Sequence, residues 1–256
     1  MKRYRKYLLC FAVCLIIFAL VWHFENLSYF KIRTRIPSET LFLLGFASAG
    51  GGYLGLEHHA QVYSLIFLFF LYKMKIGESS IRLLRLSSRE ECYKKHIINI
   101  VIIALIFSTA MHLINLLFVS IHMSLGLMEK TGFFHYFPVA VLISAFYFIR
   151  IGIITQLFSD LMQNKTVPYL LTFVLCYLEQ CPVEFVEEVP TTWRLCVDLQ
   201  LFYQCVSGTA SIGYISIVFV RQISIMVVLL MVGACVFKRK DFLTSEKKID
   251  CRFLFF

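Results

Sequence analysis

Charged residues are scarce in this chain of 256 residues: 16% are Asp, Glu, Lys or Arg, against 59% hydrophobic. With a mean hydropathy of +0.75, too little polar surface remains to cover a water-soluble globule of this size. That disfavours a soluble protein with several buried helices. Other absences narrow the chemistry. The nine cysteines include no Cys-x-x-Cys pair and no metal-ligand spacing. Cys10, Cys14, Cys176 and Cys235 lie inside apolar runs, where a thiol acts as a small hydrophobe. No Gly-x-x-x-x-Gly-Lys-Ser/Thr loop is present to cradle phosphate: Gly50 and Gly55 have the glycine spacing, but Leu56 and Glu57 follow. No His-Glu-x-x-His sets two imidazoles on one helical face. No small-x-small cleavage site follows Lys2, Arg3, Arg5, Lys6 and the first apolar run, so that run reads as an uncleaved membrane helix. No Pro/Gly/Ser-rich linker or repeat divides the chain, and residues 1–256 read as a single domain.

What is abundant is apolar sequence in runs approaching the ~20 residues that cross ~30 Å of hydrocarbon. Six emerge: Tyr7–Phe24, Tyr53–Lys73, Ile97–Ile121, Phe137–Phe158, Val167–Leu178 and Gln222–Phe237. The expected fold is therefore an all-α polytopic membrane protein of about six spans. The second run is preceded by the apolar stretch Leu41–Leu56, interrupted at Ala49-Gly-Gly-Gly52, and reads as a glycine-broken entrance to a true crossing. The last could begin near Ser211, placing Arg221 within the membrane; a start at Gln222 leaves Arg221 at the outer rim. Lysine and arginine mark the inner side. With the N-terminus inside, 18 of the 25 Lys and Arg fall on inner segments and 6 on outer ones, Arg150 being within a helix. Both termini are thus expected in the cytoplasm, in a cell membrane. The net charge of +9 is a topology signal and a contact for anionic lipid heads, with no nucleic acid needed to explain it.

The inner connection Lys73–Lys95 is the most informative stretch. Ile81, Leu83, Leu84 and Leu86 alternate with Arg82, Arg85 and Arg89, the pattern of a short helix lying at a membrane surface. Ser87 or Ser88 then caps a new helix with Glu90 and Glu91 in its first turn, where the helix dipole favours acids. The result is a helical elbow over about 76–93. A basic loop that only fixes topology is the plainer reading.

Arg85-Leu-Ser-Ser-Arg89, followed by Glu-Glu-Cys-Tyr-Lys-Lys and a membrane helix, resembles the Arg-x-Gly-Ser-Arg elbow of small bacterial ABC transporter permeases of the six-helix, type-two exporter class. Ser87 stands where that family usually has Gly. The tail Phe237-Lys-Arg-Lys-Asp-Phe-Leu243 is similar to the way many of them end. The resemblance implies a permease exporting peptides or other amphipathic molecules, with a separate ABC ATPase subunit carrying ATP and Mg and a second permease subunit completing the pathway. No cofactor would reside in this chain, and the chain itself would not be an enzyme. Arg82, Arg85, Ser88 and Arg89 would sit at the ATPase contact.

Other polar residues give weaker leads. Glu57-His58-His59, with His112 or His122, is the strongest enzymatic candidate, but adjacent histidines point about 100° apart on a helix and make a poor chelate. They read better as a solvated polar collar at the outer interface, with Glu57 and His58 also candidates for a pathway or interface. Glu187-Glu188, flanked by Pro182 and Pro190, reads as a solvated loop. Arg150 reads as snorkelling to the interface, the alternative being a place at the subunit interface or pathway. Asn115 and Gln156 read as helix-joining residues. Cys181, Cys196 and Cys205 fall in one expected outer loop, an odd number from which no pairing follows. Alternatives from other classes are a membrane-embedded peptide-processing enzyme and a non-transporting immunity or sensor protein.

Overall fold

A computed structural model defines the fold, and it describes residues 2–31, 52–75, 89–162, 164, 166–180 and 195–239. Hydrocarbon offers no partner to a backbone N–H or C=O, so a chain this apolar satisfies those groups within helices. Helix α1 spans Lys2–Lys31. A π-helical turn, His58–Tyr63, runs into α2, Ser64–Lys75. Helix α3 is Arg89–His122, α4 is Leu125–Lys130 and α5 is Phe133–Leu161. Helix α6 is Val167–Gln180. A 3-10 turn, Leu195–Gln200, continues as α7, Leu201–Val206, and α8 is Ile212–Arg239. No strand occurs among the described residues.

All six apolar runs fall on helix, except that the second opens with a turn at Tyr53–Gly55. Four helices, α1, α3, α5 and α8, contain stretches long and apolar enough to cross a membrane. With 14 residues, α6 is about 21 Å long, short of the ~30 Å core. Helix α5 is the hub: α2, α3, α4, α6, α7 and α8 all pack on it, and its broadest contact is with α3. Where these two meet, a methyl group built on Gly152 would overlap the Ile100 side chain, so only glycine permits this approach. Phe107 of α3 sits where four helices converge. Its ring meets Phe18 of α1 at 5.0 Å, Phe67 of α2 at 5.3 Å and Phe148 of α5 at 4.9 Å. Such edge-to-face pairs contribute about 0.5–1.5 kcal/mol each.

Helix α1 lies at the periphery, and Trp22 fastens it. Its ring stacks on Phe118 at 4.5 Å, and its Nε1 donates to Asn115 Oδ1 at 3.1 Å. Asn115 thus joins helices, as its place in an apolar run implied. Replacing it with Leu should cost about 1–2 kcal/mol, the scale of an interhelical hydrogen bond in a bilayer. The check is unfolding in detergent followed by Trp22 emission in a Trp193→Phe background; an unchanged transition would mean that the bond holds nothing.

The last run takes the earlier of the two starts that the sequence left open, and residues 195–206 differ from the sequence reading. Helix α8 begins at Ile212, so Arg221 lies within it, and the Arg221 guanidinium pairs with the buried carboxylate of Asp198. Residues 195–206 are packed rather than open loop: Leu201 joins Ile143 and Val218 in a small core, and Phe202 meets Phe133 at 5.2 Å. Cys205 is a buried free thiol there.

Candidate functional site: a polar network inside the bundle

The polar interior begins where the glycine-rich stretch ends. A turn closed by Gly55 N–H on Gly52 O, 2.7 Å, precedes the first helical residue, Leu56. The helix then widens into the π turn at His58–Tyr63, a device that re-aims side chains and often marks functional sites. His58 and His59, adjacent in the chain, face different neighbours. His58 Nε2 meets Glu25 Oε1 of α1 at 3.0 Å. His59 is buried, its Nδ1 3.1 Å from Gly55 O and its Nε2 3.3 Å from Ser144 Oγ of α5. A carbonyl only accepts, so Nδ1 carries the proton and Nε2 of the neutral ring accepts from Ser144.

From His59 the network runs along α5. Ser64 Oγ donates to His59 O at 2.6 Å and lies 3.0 Å from Tyr147 Oη, which must then be the donor in that second bond. The Cys176 thiol of α6 adjoins both Ser64 and Tyr147. The Tyr147 ring lies 5.3 Å below the Arg150 guanidinium, a cation–π distance. Arg150 Nη2 donates to both carboxylate oxygens of Glu179 on α6, at 2.9 and 3.0 Å, while Nη1 is buried without a hydrogen-bond partner. One turn and more further on, Thr155 Oγ1 donates to Thr172 Oγ1 at 3.2 Å, and Gln156 Nε2 to Asp160 Oδ2 of the same helix at 2.8 Å. Residues 144, 147, 151 and 155 recur at helical spacing, so one side of α5 faces α2 and α6.

The sequence candidates separate on this structure. Arg82, Arg85 and Ser88 lie outside the described residues, as do Glu187 and Glu188; Arg89 opens α3. Arg150 does not snorkel: with only 4% of its side chain exposed it turns inward to Glu179. Nor are Glu57, His58 and His59 a uniform solvated collar, since Glu57 is exposed, His58 partly buried and His59 buried. His112 Nδ1 meets Ser108 O at 3.0 Å and His122 packs on Trp22. No group of three or more His, Cys, Asp or Glu able to hold a metal occurs among the described residues. The His59–Ser144 contact has the pairing of a base and a nucleophile. It is nonetheless enclosed by the rings of Tyr63, Tyr147 and Phe148, and the hydrogen of Nδ1 goes to a carbonyl instead of an orienting carboxylate. Sequence reasoning missed Ser64, Tyr147 and Glu179. Glu179 was legible in principle, because an arginine inside one span asks for an acid on a neighbouring one.

A second constellation joins the start of α3 to the end of α8. Glu90 Oε1 accepts from Lys238 Nζ at 2.8 Å, Tyr93 Oη donates to Leu230 O at 3.1 Å, and the Phe237 ring meets Tyr93 at 5.4 Å and His96 at 6.1 Å.

Helices of this length around a hydrogen-bonded polar interior define an all-α polytopic membrane protein. No protein family, no curated protein and no solved structure matches the chain.

Proposed function

We propose that this chain is the membrane-spanning permease subunit of an ATP-driven exporter, moving peptides or other amphipathic molecules with a separate ABC ATPase and a second permease subunit. In this reading both termini and the connection before α3 lie in the cytoplasm of a bacterial cell. The observation that carries it is the build of α3. Its 34 residues extend about 51 Å, against ~30 Å of hydrocarbon. Arg89, Glu90, Glu91, Lys94 and Lys95 crowd its first two turns, the part that would emerge from the membrane. Those turns are clasped to the end of α8 through Glu90, Tyr93 and Phe237. The start of α3 is therefore tied to the end of α8, and a push on it reaches both long helices. The basic sequence before α3 and the basic sequence after α8 are also the two that the charge count assigns to the same side. A lever of this kind suits a bundle alternating between two arrangements under a partner's bias.

The test is Arg85→Glu with Arg89→Glu in the co-expressed complex. Export should fall by about 5–150-fold, the range that ~1–3 kcal/mol of coupling represents, while the amount of chain in the membrane stays the same. Unchanged export, or export from a purified assembly holding no ATPase, would remove the proposal.

A further inference from the structure

We propose that the crevice between the start of α3 and the end of α8 binds one anionic phospholipid, with an acyl chain along its walls and the phosphate on Lys94 and Lys238. Tyr93, Ile97, Ile98, Leu230, Ala234 and Phe237 wall a cavity of about 410 Å³, within the ~300–1,000 Å³ of small-molecule sites. Among the described residues, the charged groups that line it are Glu90, Lys94 and Lys238, toward the ends of the two helices. Inside, the Tyr93 hydroxyl is already spent on Leu230 O, so the walls present hydrocarbon and little else.

Two features select a lipid over other occupants. The first is order along the helices. The ionic groups lie at the helix ends, and the apolar walls run from Tyr93 to Ile98 and from Phe237 back to Leu230, one to two turns deeper into the apolar length. A phospholipid has that same sequence of head and tail along the membrane normal. The second is charge. Among the described residues that line the cavity, Glu90 and Lys238 neutralise each other and exposed Lys94 leaves one net positive charge, the complement of a single phosphodiester. Exposed Lys95 lies beside it. A zwitterionic lipid would gain the walls without the net attraction. The site depends on the membrane setting of the chain and not on export.

The experiment uses the full chain in nanodiscs of phosphatidylcholine mixed with phosphatidylglycerol, and native mass spectrometry counts the lipids retained on release. One phosphatidylglycerol should be kept in preference to phosphatidylcholine. Lys94→Gln should weaken that retention about fivefold, the factor for one lysine near a membrane surface. Ala234→Trp fills the crevice with the charges intact and should abolish it. Ile98→Trp, at an exposed position on the wall, is a second filling variant should the first disturb packing; helix content and monodispersity are checked for both. Equal retention of the two lipids by the unaltered chain overturns the proposal, as does undiminished phosphatidylglycerol on the folded tryptophan variants. A dimer that those tryptophans dissociate would put a second copy in the crevice, and overturns it too.

Discussion

Glu179→Ala should destabilise the bundle by about 3–5 kcal/mol, the cost of leaving a buried charge without its partner. Arg150→Met should cost distinctly less. The asymmetry comes from the surroundings of the two groups. Arg150 is 4% exposed and Glu179 28%, so an unpaired Glu179 at the end of α6 can turn to water, whereas an unpaired Arg150 has the Tyr147 ring beneath it and no second acceptor for Nη1. The double variant Arg150→Met, Glu179→Leu removes both charges and should recover most of the loss, since well-packed apolar replacements of a buried ion pair are often neutral or better. Thermal unfolding in detergent of the four proteins closes this cycle. Equal small losses in the two single variants would show that the pair contributes little.

The other large effect is expected at Gly152. Gly152→Leu should separate α3 from α5 and cost about 3 kcal/mol or more, and Gly152→Ala about 1–3 kcal/mol through forced overpacking. The obstacle is the side chain of Ile100, so Ile100→Ala should rescue Gly152→Ala in part, although alone it opens a cavity at the same interface. In a bilayer no water is expelled when helices meet, and close packing supplies most of their attraction. A widened α3–α5 contact therefore has no compensation. Retained monodispersity and an unchanged unfolding temperature for Gly152→Leu would show that the two helices do not pack in this register.

The helices were legible because apolar length is a strong signal, and each apolar run falls on one. What the sequence hid is what depends on a partner. The partner of Arg221 was not legible: Asp198 comes from a segment that reads as loop and pairs with it within α8. Arg150 looked like a snorkelling side chain until α6 brought Glu179 beside it. Residues 195–206 carry Asp198, Gln200 and Gln204 and look solvated, yet Leu201, Phe202, Cys205 and Val206 are all buried, spaced one, four and five apart on a single side of one helix turn. The π turn leaves no compositional trace, and neither do the partners of its first two residues, Ser144 for His59 and Glu25 for His58. The elbow residues Arg82, Arg85 and Ser88 rest on sequence alone.

The hub position of α5 has a consequence for biogenesis. It is encoded after α1, α2 and α3, so those helices enter the bilayer before the surface they will share has been synthesised. During that interval α1 and α3 can already hold each other through Trp22 and Asn115, whereas His59 and Ser64 await Ser144 and Tyr147, and the Ser108 hydroxyl awaits the carbonyl of Val141. Arrival of α5 is then the event that closes the bundle. A chain truncated before Phe133 should leave these groups facing lipid or the insertion machinery, ready for quality-control proteases.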